Sequence, residues 1–135
     1  MAQYEALTKY IPLIEEDYKG EWVEHSGKSE KTFYMPYIKY SDITHLFMRA
    51  FYRFIKERKD LNVHEYRRIL EKNNIEYSKQ SILNAEVSSM DAQCVLALIL
   101  TILRLDRFTQ GTLLYCLREG YITKWLNRLK ELDEC

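Results

Sequence analysis

Almost every position from Cys94 to Leu105 is apolar, the longest such stretch in the chain. A helix that is hydrophobic on all sides must be enclosed by its neighbours. The pattern therefore predicts one buried central helix over residues 90–108, capped by Ser88 or Ser89, with Asp91 in the first turn where the helix dipole favours a negative charge. Amphipathic segments supply its partners. After Ser41, a good N-cap, Ile43, Leu46, Phe47, Ala50, Phe51, Phe54 and Ile55 keep the three-four spacing of one helix face over residues 42–58. Asn62 and Glu65 make a capping-box-like start to a helix with Tyr66, Ile69 and Leu70 inside, stopped at Asn73-Asn74. Leu113, Leu114, Cys116 and Leu117 form the inner face of a helix capped by Thr109 and ended by Gly120. Ile122, Trp125, Leu126 and Leu129 do the same for a last helix over residues 121–132.

The pattern is weaker elsewhere. Tyr4, Leu7, Tyr10 and Ile11 predict a short helix interrupted at Pro12 and resuming through Glu16. Residues 75–88 have no sustained period and predict one helical turn at 80–84. Residues 21–25 and 32–37 are rich in aromatic and β-branched side chains and flank the turn-like Ser26-Gly27-Lys28-Ser29-Glu30, which predicts a β-hairpin. Two strands alone are marginal in water, so Trp22, Val23, Phe33 or Tyr34 should pack onto the helices. The fold class expected is mainly α: a helical domain around one buried central helix, with a short N-terminal β-hairpin, residues 1–135 forming a single domain.

Composition narrows the functional classes. A chain of 135 residues is long enough to bury roughly two-thirds of its unfolded surface. Its 11 tyrosines predict an amphipathic aromatic rim suited to a partner. Lys plus Arg number 20 and Asp plus Glu number 20, evenly divided between the two halves, so no basic lobe supports strong polyanion binding. Cys94, Cys116 and Cys135 lack C-x-x-C spacing and read as reduced thiols of a cytoplasmic protein. The N-terminus does not resemble a signal peptide, and the central apolar run is too short to span a bilayer, so no membrane association is expected.

Candidate chemistry is sparse. His25, His45 and His64 lie on separate elements without metal-ligand spacing, and no catalytic residue, metal or cofactor is expected. Cys94 reads as a small core residue. Two polar groupings stand out. Arg49, Arg53 and Lys56 share one helix face beside Tyr52 and form a candidate anion-binding face, with a solvated helix surface as the simpler account. Asp91 and Gln93 at one end of the central helix, with Arg104, Asp106 and Arg107 at the other, form a candidate polar site. There Asp106 either organises an arginine for an anion or locks the helix junction, and the junction role is the simpler.

The run from Asn84 through Asp91-Ala92-Gln93-Cys94 to Ile99, then Arg107-Phe108 with Gly111, Leu113 and Leu114, then Trp125 with Arg128-Leu129, resembles a prokaryotic family of small proteins, domain of unknown function 6508. Gly20-Glu21-Trp22, Pro36-Tyr37 and Tyr40-Ser41 also fit it, so the likeness covers nearly the whole chain. The resemblance implies a bacterial, archaeal or phage source and a stand-alone protein, and it brings no activity.

The leading functional expectation is a protein-interaction or regulatory module that binds another protein or itself, with phage–host or mobile-element biology as its setting. The alternatives are nucleic-acid binding through Arg49, Arg53 and Lys56, disfavoured by the neutral charge, and a small-ligand binder or enzyme with a pocket near Asp91 and Arg107.

Overall fold

The computed structural model describes residues 2–23 and 36–134. The elements run α1 (Glu5–Thr8), α2 (Ile11–Glu16), β1 (Gly20–Val23), β2 (Tyr37–Tyr40), α3 (Asp42–Glu57), α4 (Tyr66–Lys72), α5 (Lys79–Asn84), α6 (Ala92–Phe108), α7 (Thr112–Arg118) and α8 (Tyr121–Glu134). Two 3-10 turns, at Lys59–Leu61 and Val63–Glu65, join α3 to α4. The fold is mainly α, with one antiparallel strand pair among the described residues.

Helix α6 is the central element that the apolar run predicts. Every residue from Cys94 to Leu103 is buried, and α4, α5, α7, α8 and the second 3-10 turn pack around it. Its lone polar intruder in that stretch, Thr101, donates its hydroxyl to the Ala97 carbonyl at 2.7 Å, so this hydroxyl is not stranded in the core. Outside this layer α1 and α2 close over α8 and α3. The rings of Tyr10 and Phe47 meet edge to face there, 5.8 Å apart, and Tyr4 packs against Phe54 at 5.9 Å.

Several local expectations are corrected. The N-cap of α6 is Asp91 itself, whose Oδ1 accepts the Cys94 N–H at 2.9 Å, not Ser88 or Ser89. Asn62 adopts a left-handed conformation (φ 51°) and does not cap, so a 3-10 turn precedes α4. Leu46, placed inside by its spacing, is 47% exposed, while Thr44 is buried. The inner face of α3 is centred on Thr44, Phe47, Phe51 and Phe54, and Leu46 lies a further 100° around the helix from Phe47.

The strands also shift. Residues 21–25 and 32–37 were the expected pair, whereas Gly20 pairs with Tyr40 and Val23 with Tyr37. The second strand begins after Pro36, which has no N–H to give a ladder. Alternation then puts Ile38 inside and Tyr37 and Lys39 outside. His25, the turn at 26–30, Phe33, Tyr34 and Cys135 lie outside the described residues.

A network ties the strand pair to the helices. Ser41 caps α3 by accepting the Thr44 N–H at 3.0 Å and donates its own hydroxyl to Asp17. Thr44 donates to the Lys19 carbonyl at 2.8 Å. At the far end Asp133 of α8 accepts the N–H groups of Gln3 and Tyr4 at 2.8 and 2.9 Å, fastening the residues just before α1 to α8.

Core burial carries a pH signature. Burial pushes the Cys94 thiol up to about 11 and the Cys116 thiol up to about 12, from an ordinary value of 9.0. A folded pKa above the unfolded one means stabilisation that is complete below pH 9.0 and is lost as pH rises toward the folded values. The unfolding free energy from urea titrations should be free of this loss from neutrality to that point and then fall, by about 1.4 kcal/mol per pH unit for each thiol. Replacing Cys94 and Cys116 by alanine should flatten that slope. An unchanged slope in the double variant would contradict the assignment.

Candidate functional site

The sequence-predicted polar site divides in two. Asp91 and Gln93 stand at the start of α6 and Arg104, Asp106 and Arg107 at its end, with about 16 Å of helix between Gln93 and Arg104. The five do not converge. Gln93 donates its side-chain N–H to the Leu61 carbonyl at 2.6 Å, and Asp91 is engaged as the helix cap. Both act within the fold, tying α6 to the turns before α4.

The other end is more elaborate. The half-buried Asp106 accepts the N–H groups of Gly111 and Leu113 on Oδ1, at 3.1 and 3.0 Å, and the Tyr40 hydroxyl on Oδ2, at 2.8 Å. One carboxylate therefore caps α7, a role expected of Thr109, and fastens β2 to the α6–α7 junction. Thr109 instead lends its carbonyl to the Thr112 hydroxyl at 2.7 Å. Burial and the adjacent negative Asp106 hold the Tyr40 phenol well above its ordinary range, so it remains a donor. Arg118 donates to the Gly20 carbonyl at 2.9 Å and ties β1 to α7.

Gly111 completes the junction. Its φ of +106° belongs to the left-handed region, and a Cβ there would lie 3.0 Å from the Trp22 ring. Both facts demand glycine. Trp22 lies over this turn yet remains 47% exposed, alongside Tyr115 at 43% and, on the neighbouring strand, Tyr37 at 44%. Phe108, the last residue of α6, is 86% exposed. A cavity of about 410 Å³ opens between Trp22 and Tyr115, with Lys79 and Arg118 on its rim, and the Lys79 ammonium sits 4.6 Å over the Tyr115 ring. Arg107 is exposed, and the buried Nε of Arg104 has no hydrogen-bond partner.

The candidate anion-binding face is a real surface feature. Arg49, Arg53 and Lys56 are all exposed, and none is in an ion pair among the described residues. Arg49 and Arg53 border a groove of about 310 Å³ with Lys9, Tyr10, Leu46 and Glu57. Glu57 also lines an adjoining hollow with Arg53 and Lys56 and dilutes the positive field.

No group of three metal-ligating side chains occurs among the described residues, and no helix of those residues is long and apolar enough to cross a membrane. Both described thiols are buried and held protonated, which deprives them of nucleophilic character.

Sequence reasoning missed the weight of Trp22, Tyr37 and Tyr115. The available signal was Phe108, an aromatic placed beyond the charged residues that end the apolar run. An α-helical protein with a carboxylate-locked junction is thus defined. The chain belongs to the family described as Family of unknown function (DUF6508), which matches residues 1–134. No curated protein and no solved structure matches the chain.

Proposed function

We propose that this protein is an interaction module that docks a partner protein through Phe108, at the α6–α7 turn over which Trp22 lies. The observation that carries the reading is Phe108. Ten consecutive residues of α6 from Cys94 to Leu103 are buried, and the same helix ends on a phenyl ring that is 86% exposed. The Asp106 lock holds the turn beside it. An exposed aromatic next to a hydrogen-bonded turn has the composition of an interface anchor, since rigid rings lose little conformational entropy on binding. The neutral net charge suits recognition by apolar contact more than by long-range attraction.

Nucleic-acid binding is the second reading, and the unpaired Arg49, Arg53 and Lys56 favour it. A photoreactive phenylalanine analogue placed at position 108, and separately at position 53, in producing cells separates the two. The expected result is one discrete protein adduct from position 108 and no nucleic-acid adduct from position 53. Nucleic acid captured at 53 with nothing at 108 would overturn the reading. The captured protein's identity also decides whether a phage–host or mobile-element setting applies.

A further inference from the structure

A separate cleft lies where α4 ends, α5 runs past it and the 85–90 segment leads into α6. It encloses about 710 Å³, within the range of ligand-binding clefts. Carboxamides dominate its wall: Asn74, Gln80 and Asn84 line it, and none of these three side chains makes a hydrogen bond to another described residue, whereas Asn73 beside them is committed to the Ile69 carbonyl at 2.7 Å. Glu76 and Glu86 also line it, and no lysine, arginine or aromatic ring does.

Each of these features restricts the ligand. A carboxamide offers one acceptor and an N–H donor side by side, the same pair that a peptide group presents. Gln80 and Asn84 are one turn apart on α5, a rise of about 6 Å. Alternate residues of an extended chain are spaced by roughly 6.6–6.8 Å, so the two carboxamides match alternate peptide groups of a strand. The absence of a ring among the lining residues removes the stacking platform that a sugar or nucleobase would use. Two carboxylates without a cation among the lining residues set the sign of the side chains that fit. Glu86 accepts the Ser88 N–H at 3.0 Å, which holds its carboxyl below the usual range and keeps it charged.

We infer that this cleft binds an extended peptide segment carrying lysine or arginine, its backbone gripped by Gln80 and Asn84 and its cations met by Glu76 and Glu86. The site is separate from the Phe108 end, and its failure would leave that reading standing.

The test is fluorescence anisotropy with two labelled octapeptides, one alternating lysine with threonine and one alternating glutamate with threonine. The lysine peptide should bind at least about tenfold tighter. Gln80→Ala with Asn84→Ala should weaken it by about tenfold, and Glu76→Gln with Glu86→Gln should erase the preference between the two. All four positions are exposed, so thermal midpoints should not move. In the unaltered protein the side-chain amide resonances of Gln80 and Asn84 should shift on titration. Equal binding of both peptides, no binding up to about 1 mM, or loss on Phe108→Ala with the cleft variants unaffected would overturn the inference.

Discussion

Leu98→Ala is expected to destabilise the fold by about 2–5 kcal/mol. Leu98 is fully buried within the stretch of α6 that has no exposed side, so its neighbours on α4, α7 and α8 have little freedom to close a void. The cost is the lost transfer free energy plus the cavity left behind, and it lies toward the upper half of the range where collapse is restricted. Total stabilities are commonly about 5–15 kcal/mol, so this one truncation removes a large share. Urea denaturation measures it, with Leu13→Ala on the exposed side of α2 as a control expected to change stability by less than about 0.5 kcal/mol. A loss at Leu98 below about 1 kcal/mol would mean that α6 is not enclosed.

Asp106→Ala should cost about 3–5 kcal/mol for a different reason. Hydrogen bonds to a charged group contribute about 1.5–3 kcal/mol each, and removing the acceptor leaves its donors unsatisfied. Three donors depend on this carboxylate: the Gly111 and Leu113 N–H groups that begin α7, and the Tyr40 hydroxyl that docks β2. The three losses do not add fully, because all act at one junction and water reaches part of it. Tyr40→Phe removes a single bond and should cost about 1–2 kcal/mol. Asp106→Asn keeps an acceptor and should fall between the two. If Asp106→Ala cost no more than Tyr40→Phe, the capping of α7 would carry no weight. Because Phe108 and Gly111 flank this carboxylate's contacts, the same variant should also loosen the docking end before the core unfolds.

Helices were legible in the sequence wherever burial repeats at helical spacing. Residues 42–58 anticipated α3, 80–84 anticipated α5, and Ile122, Trp125, Leu126 and Leu129 are all buried in α8 as their spacing requires. Gly120 does take the left-handed conformation before α8, with φ +81°. Caps were legible only when the capping group is local, as at Ser41. The carboxylate that satisfies the start of α7 comes from Asp106, and the nearest Ser, Thr or Asn in sequence is no guide to a donor satisfied through space. Aromatic and β-branched content marks a strand region but not its limits, and Ile38, one residue past the expected 32–37, is the inward-facing side chain of β2.

The candidate site was half legible. Asp106 could be singled out because a charge leaving a buried helix needs a partner, and its partners prove to be backbone N–H groups and a phenol. Pairing it with Asp91 and Gln93 overlooked the length of the helix that separates them. The exposure of Trp22, Tyr37, Phe108 and Tyr115 could not be read from spacing, because it is set by tertiary packing on four different elements.

The most direct measurement is a calorimetric titration of the protein captured at position 108, purified, against the unaltered chain, Phe108→Ala and the pair Arg49→Glu with Arg53→Glu. Phe108→Ala should weaken binding by at least about tenfold, about 1.4 kcal/mol, with the thermal midpoint unchanged, while the arginine pair should change affinity by less than about threefold. Full affinity in Phe108→Ala together with loss in the arginine pair would contradict the proposed docking end.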